Sequence, residues 1–289
     1  MKRFVFLLYR KLFPILKLVR IWNLLLLVFI ELGVGYSLGA ENESLASLIV
    51  SSKLWLLIIS LAFAAGAGYI INDYYDQKTD RINLPNRVVI GNDLTRRRAL
   101  LLHTLLNIGA LCVAMLLSWK VVVFIGSGIF LLWLYCNTLK RKPLIGNLAL
   151  GILAGGLVYA PALVFKEPSI KVAAFALYAF WIFTIRSLLK DIRDRKGEEK
   201  FGAKTLPIIW GLKKTRDALA LLFFGFCASL YLTAGFIGGG VGWYMLILLP
   251  FIGYTIHSSI QADTRTKQQQ AILLCKILIL LGMAGLYIS

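Results

Sequence analysis

Stretches of about 17–22 apolar residues recur along this whole chain. A helix needs roughly 20 such residues to cross the hydrocarbon of a bilayer. They place spans near 20–39, 54–72, 98–118, 121–138, 144–165, 172–189, 216–236, 242–260 and 270–288. The expected fold is therefore all-α, a multi-span integral membrane protein with about nine transmembrane helices. The boundaries are least defined at the tight 118–121 turn and at Gly238-Gly239-Gly240. A hydrophobic content of 59% with mean hydropathy +0.77 excludes an ordinary soluble domain. No small-residue cleavage site closes the first apolar run, so that run is read as a retained span. Residues 1–289 are read as a single transmembrane domain.

Charge orients the spans. With the N-terminus in the cytoplasm, 27 of the 32 Lys and Arg residues fall on the cytoplasmic side. They include Lys2, Arg3, Arg10, Lys11, Lys17 and Arg20 before the first span, and ten between 186 and 216. Only Lys53, Lys120, Lys166 and Lys171 fall on the other side, the bias of the positive-inside rule. This accounts for much of the +18 net charge without a nucleic-acid partner, for which no basic soluble module is visible. The expected location is the plasma membrane. The four cysteines form no C-x-x-C pair, and His103 and His257 are far apart, so neither a zinc site nor a disulfide framework is indicated.

On this greasy background sit two acidic clusters with one spacing. Asp73, Asp76 and Asp80 lie in N-D-Y-Y-D-Q-K-T-D, and Asp191, Asp194 and Glu198 in K-D-I-R-D-R-K-G-E. Both run i, i+3, i+7, which puts three carboxylates on one helix face across two turns. The clusters hold six of only 14 acidic residues, at the ends of spans two and six, hence on one side of the membrane. A weak internal duplication of a four-helix unit is compatible with this placement. A solvated acidic helix end explains the pair less well than it explains either cluster alone. Magnesium binds through one or two carboxylates plus substrate phosphate. Two such faces, with Arg87, Lys140, Arg141, Lys142, Lys190 and Lys204 nearby, suit a diphosphate flanked by metals. A diphosphate so held becomes a good leaving group.

An isoprenoid is the natural bearer of a diphosphate in a membrane. Its allylic carbocation needs a dry, aromatic-lined pocket, for which Tyr69, Tyr74, Tyr135, Tyr159 and Phe183 are candidates. Ala64-Ala65-Gly66-Ala67-Gly68 and Gly151, Gly155 and Gly156 are small-residue faces that helix packing explains. Glu31, in the middle of span one, is expected to be paired, protonated or cavity-facing, and Asn107 lies in span three.

The motifs at 72–80 and 190–198 resemble the two aspartate-rich motifs of the UbiA superfamily of intramembrane prenyltransferases. The resemblance covers most of the chain. It includes Arg20 and Asn23, Tyr135-x-x-x-Leu139-Lys140, Pro143-Leu144-x-Gly146-Asn147 and Gly202-Ala203-Lys204-Thr205-Leu206-Pro207. It implies nine transmembrane helices around a central cavity that opens laterally to lipid, and magnesium. Asp73, Asp76, Asp191 and Asp194 would hold the metal, with Asp80 and Glu198 completing the triads. Asn72, Arg87, Lys140 and Lys204 would bind phosphate oxygens, with Asn23, Tyr135 and Lys190 also on the substrate side.

Asp80-Arg81-Ile82-Asn83-x-Pro85-x-Arg87 is similar to the branch of digeranylgeranylglyceryl phosphate and chlorophyll synthases, and the second motif leans toward the former. The implied reaction moves a geranylgeranyl-type chain from its diphosphate to the hydroxyl of a prenylated glycerol phosphate, forming an ether lipid. Two positions depart from the family pattern: Arg-Pro after the first motif is Arg87-Val88, and the last acid of the second is Glu198 rather than Asp. The nearest rival reading is an aromatic acceptor, as in quinone or chlorophyll-type prenylation. A cation-coupled transporter is more distant, because transporters place such sites near the midplane.

Overall fold

A computed structural model of the chain describes residues 12–39, 51–165 and 169–288, without the side chain of Arg87. Lys2, Arg3, Arg10, Lys11 and Lys166 of the charge tally lie outside the described residues. The long helices are α1 (Ile21–Gly39), α2 (Ser52–Asn83), α3 (Arg96–Met115), α4 (Trp119–Asn137), α5 (Ile145–Phe165), α6 (Ile170–Lys200), α7 (Gly211–Ile237), α8 (Gly239–Ile247), α9 (Leu249–Ile260) and α10 (Arg265–Ala284). Among the described residues, nine helical stretches are long and apolar enough to cross a membrane, with α8 and α9 together forming the eighth. The chain is an integral membrane protein of the all-α class.

Two differences from the sequence reading matter. First, the acidic motifs do not follow spans two and six; they are part of them. α2 has 32 residues and α6 has 31, about 48 and 46 Å at 1.5 Å per residue, against a hydrocarbon core of roughly 30 Å. Second, the eighth span is not continuous. Gly238 and Gly239 turn the chain between α7 and α8, with φ of 64° and 55°, and the interruption itself falls between α8 and α9. Pro250, at the start of α9, lacks the N–H that would extend α8 and crowds the preceding turn.

The chain divides into two compact units, Met1–Phe29 with Trp55–Asn137, and Ile30–Leu54 with Thr138–Ser289. In the first, Ser60 Oγ donates to the Ala110 carbonyl at 2.8 Å and ties α2 to α3. His103 Nδ1 lies 3.0 Å from the Ala67 carbonyl, and the Asn107 amide 3.1 Å from His103 Nε2. The His103 and Asn107 side chains thus serve helix packing. Leu18, Ile70, Val89, Ile90 and Ala99 form a buried cluster that joins the segment before α1, the motif end of α2 and the loop after it.

In the second unit, α5 and α6 pack backbone to backbone. A Cβ on Gly151 would meet Thr184 Oγ1 and stand 2.7 Å from the Phe180 carbonyl, and one on Gly155 would lie 2.9 Å from the Ala176 carbonyl. This is the close approach that small residues permit between membrane helices. Tyr178 donates its hydroxyl to the Leu278 carbonyl at 2.7 Å, fastening α6 to α10. Glu31 is fully buried, and neither carboxylate oxygen has a hydrogen-bond partner among the described residues. The helix–helix hydrogen bond open to it from sequence is therefore not formed.

Gly151→Leu forces α5 off α6. Overpacking of this kind costs about 1–3 kcal/mol, so the thermal unfolding midpoint in detergent should fall by several degrees while Gly128→Leu, at a position with open space around it, leaves it in place.

Candidate active site

The first motif lies on the last turns of α2, so Asp73, Asp76 and Asp80 keep their helical spacing without a loop to blur it. Arg20 reaches Asp73 from the turn before α1: its guanidinium donates to Asp73 Oδ1 at 2.7 Å and stands 4.8 Å from the centre of the Tyr69 ring. Asn72 donates from Nδ2 to Asp76 Oδ2 at 2.9 Å and, more weakly, to Asp73 Oδ1 at 3.4 Å. Asn72 therefore braces the motif's carboxylates. Asn23 sits in the first turn of α1, with its N–H on the Arg20 carbonyl at 2.7 Å. Tyr135 is buried in α4.

The loop after the motif folds back on it. Gln77 Nε2 donates to the Ile90 carbonyl at 2.8 Å, and Lys17 Nζ to the Asn86 carbonyl at 3.1 Å. Pro85–Arg87 is a single 3-10 turn that carries the backbone of Arg87; its side chain is outside the described residues. Val88 has φ −67° and ψ 112°, a φ that a proline ring would impose. The departure at this position therefore leaves the backbone angle of the family pattern intact. α3 opens on Arg96, Arg97 and Arg98, where the helix dipole disfavours cations. Thr95 caps that turn, and Arg96 stacks 4.4 Å from the centre of the Tyr74 ring. Tyr69 and Tyr74, two of the candidates for a carbocation-facing ring, each carry an arginine on one ring face.

The second motif lies on the last turns of α6. Asn147, in the first turn of α5, donates from Nδ2 to Asp191 Oδ2 at 2.8 Å and to Ser187 Oγ at 3.0 Å. Arg193 Nε donates to Asp194 Oδ1 at 2.8 Å, and a second bond makes the pair bidentate. Asp191, Asp194 and Glu198 repel one another in a partly buried setting, and Lys140 attracts both Asp191 and Glu198 while Lys190 attracts Asp191. Lys140 and Lys190, named from sequence, are thus brought to the motif. Lys204 is exposed, and its backbone N–H bonds the Arg141 carbonyl at 2.9 Å.

Gly202 makes this closure possible. Its φ of 74° ends α6 in a left-handed cap, with the Gly202 N–H on the Glu199 carbonyl and the Ala203 N–H on the Glu198 carbonyl, both at 3.1 Å. The chain then doubles back so that Thr205 Oγ1 donates to Glu198 Oε2 at 3.2 Å. Glu198 therefore faces the same cluster as Asp191 and Asp194 despite its extra methylene.

The carboxylate oxygens suit a hard cation such as magnesium. Among the described residues, no three Asp, Glu, His or Cys side chains converge closely enough to hold a metal unaided. Magnesium commonly takes one or two protein carboxylates and completes its shell with water and phosphate.

The sequence model of the UbiA prenyltransferase family matches residues 26–284. The chain belongs to that family. Among its relatives, a digeranylgeranylglyceryl phosphate synthase of Thermococcus gammatolerans is 32% identical over 263 residues, 89% of this chain and 91% of that one. One of Pyrococcus horikoshii is 33% identical over 202 residues, 69% of this chain and 72% of the other. Solved structures share the fold. One reported for digeranylgeranylglyceryl phosphate synthase in membranes has a TM-score of 0.72 at 20% identity, covering 96% of this chain and 98% of that one. A UbiA homolog from Archaeoglobus fulgidus bound to DMAPP and Mg2+ has a TM-score of 0.67 at 18% identity, covering 96% and 100%.

In this UbiA prenyltransferase the residues that hold the motifs, as distinct from the motifs themselves, were hidden in the sequence. Arg193 and Thr205 lie within or just after the second motif, and Gln77 lies within the first, but nothing in the spacing says which carboxylate or carbonyl each one takes. Arg20, Asn72 and Asn147 were named in the sequence, Arg20 and Asn147 as parts of the family resemblance, but none of them with the carboxylate it holds.

Gly202→Ala tests the cap. Cβ has open space there, so only the left-handed backbone opposes it, at about 1–2 kcal/mol. The unfolding midpoint should drop, and Gly202→Asn, which tolerates that conformation, should drop it less.

Proposed function

We propose that this chain transfers a geranylgeranyl-type group from its diphosphate to the free hydroxyl of a prenylated glycerol phosphate, in a magnesium-dependent reaction that forms an ether lipid. The observation that carries this is the 32% identity over 89% of the chain to a relative named for that product. The two carboxylate motifs, each braced by its own set of donors, support the metal-dependent part of the reading. On this proposal the two compact units serve one prenyltransferase domain.

Asp73, Asp76 and Asp80 in one motif, and Asp191, Asp194 and Glu198 in the other, would hold magnesium, which when bound neutralises the diphosphate as it departs. Lys140 and Lys190, already attracted to the second motif, add charge for phosphate oxygens, as do Lys204 and Arg87. The bond between the allylic carbon and the diphosphate oxygen breaks, the acceptor oxygen bonds that carbon, and the acceptor proton leaves. Water must be kept from the cation, since it competes as nucleophile. The apolar spans supply that exclusion. The positive-inside bias supports an orientation with both motifs in the cytoplasm, and the plasma membrane is the proposed location.

Membranes containing the protein should convert labelled geranylgeranyl diphosphate and geranylgeranylglyceryl phosphate to a diether phosphate, identified by mass spectrometry. Chelation should abolish the product and magnesium restore it. Asp73→Asn and Asp191→Asn should each lower the rate by about two orders of magnitude. Product formed only with a hydroxybenzoate or naphthoate acceptor would overturn the ether-lipid assignment.

A further inference from the structure

The leading aspartate of each motif is held by the same device. Among the described residues only two non-glycine residues adopt positive φ: Arg20 at 54° and Leu144 at 61°. Each conformation costs about 1–2 kcal/mol and persists only where the surroundings over-determine it. Arg20 stands directly before α1, and Leu144 directly before α5. From these bends a donor reaches the first acid on the next helix, Arg20 to Asp73 Oδ1 at 2.7 Å and Asn147 to Asp191 Oδ2 at 2.8 Å. The arrangement in the first unit recurs in the second, four spans on.

Both donors are themselves fixed. Leu18, fully buried in the cluster with Ile70 and Val89, anchors the chain two residues before Arg20, and the Tyr69 ring backs the guanidinium. Gly146, next to Asn147, lies so close to the 139–141 turn that a Cβ would stand 2.7 Å from the Leu139 carbonyl. Ser187 takes the other hydrogen-bonding direction of the Asn147 amide. The bonds engage one oxygen of each aspartate, and the second oxygen lies outside them.

We infer that Arg20 and Asn147 are paired positioning residues. Each pins one carboxylate oxygen of its motif's leading aspartate, so that the other is presented to a divalent cation in a fixed direction. An unpinned carboxylate swivels about its side-chain torsions and loses that freedom only on binding. Donors of this kind commonly set metal affinity by 10- to 100-fold. The inference rests on the metal-dependent reading above.

The test is Mn2+ binding by the full-length protein in detergent, followed by electron paramagnetic resonance, beside thermal unfolding in metal-free buffer. Arg20→Asn keeps a residue that tolerates the left-handed backbone but removes the ion pair. Asn147→Leu removes the amide at similar volume. Both should weaken Mn2+ binding by about tenfold or more, with the Arg20→Asn unfolding midpoint within a few degrees of wild type and Arg20→Lys recovering part of the affinity. Wild-type affinity in Arg20→Asn, or a lowered midpoint with unchanged affinity, overturns the inference; should Asn147→Leu not fold, Arg20→Asn decides alone. Failure of the wild-type protein itself to bind Mn2+ removes the metal reading and this inference with it.

Discussion

A carboxylate cannot remain charged in hydrocarbon without large cost, yet it is most useful here at the edge of one. α2 and α6 meet that constraint by length. Each carries more residues than crossing a bilayer needs and stays unbroken helix through its motif. The carboxylates inherit their spacing from the helix itself, and a helix that already crosses the membrane cannot easily change its angle. Every other feature of the two motifs acts on that overhang: the bend at Arg20, the first turn of α5, the left-handed cap at Gly202.

The two motifs are balanced differently. At the first, Arg20 and Asn72 engage Asp73 and Asp76, and the following loop is tied down by Gln77 and Lys17. At the second, three acids repel one another in a partly buried place, eased by Lys140 and Lys190 and by the Arg193 pair. Such a cluster is poised for added positive charge, since a cation relieves repulsion that neutral donors only redistribute.

Much of this was legible in the residues. Nine spans follow from hydropathy because a bilayer leaves few alternatives to a helix, and the i, i+3, i+7 carboxylates declare a helical face by their spacing alone. What stayed hidden depends on tertiary contact. No local pattern announces that Arg20 and Leu144 take positive φ, since both are ordinary helix formers placed there by their surroundings. Pairing of Asn147 with Asp191 spans 44 residues. The turn into the eighth span was visible in Gly238-Gly239-Gly240, but the interruption within that span needed Pro250 to be read as a helix start, which an unbroken apolar run disguises.

Val88 carries a more general consequence. Where the family pattern has a ring that locks one torsion, this chain has a branched side chain at φ −67°, with Asn92 Nδ2 donating to the Val88 carbonyl at 3.1 Å. The angle is reached here without a ring, in a loop whose turn is closed by its own hydrogen bonds. A motif compared letter by letter records a mismatch at Val88, whereas the φ there stays in the range a proline ring imposes.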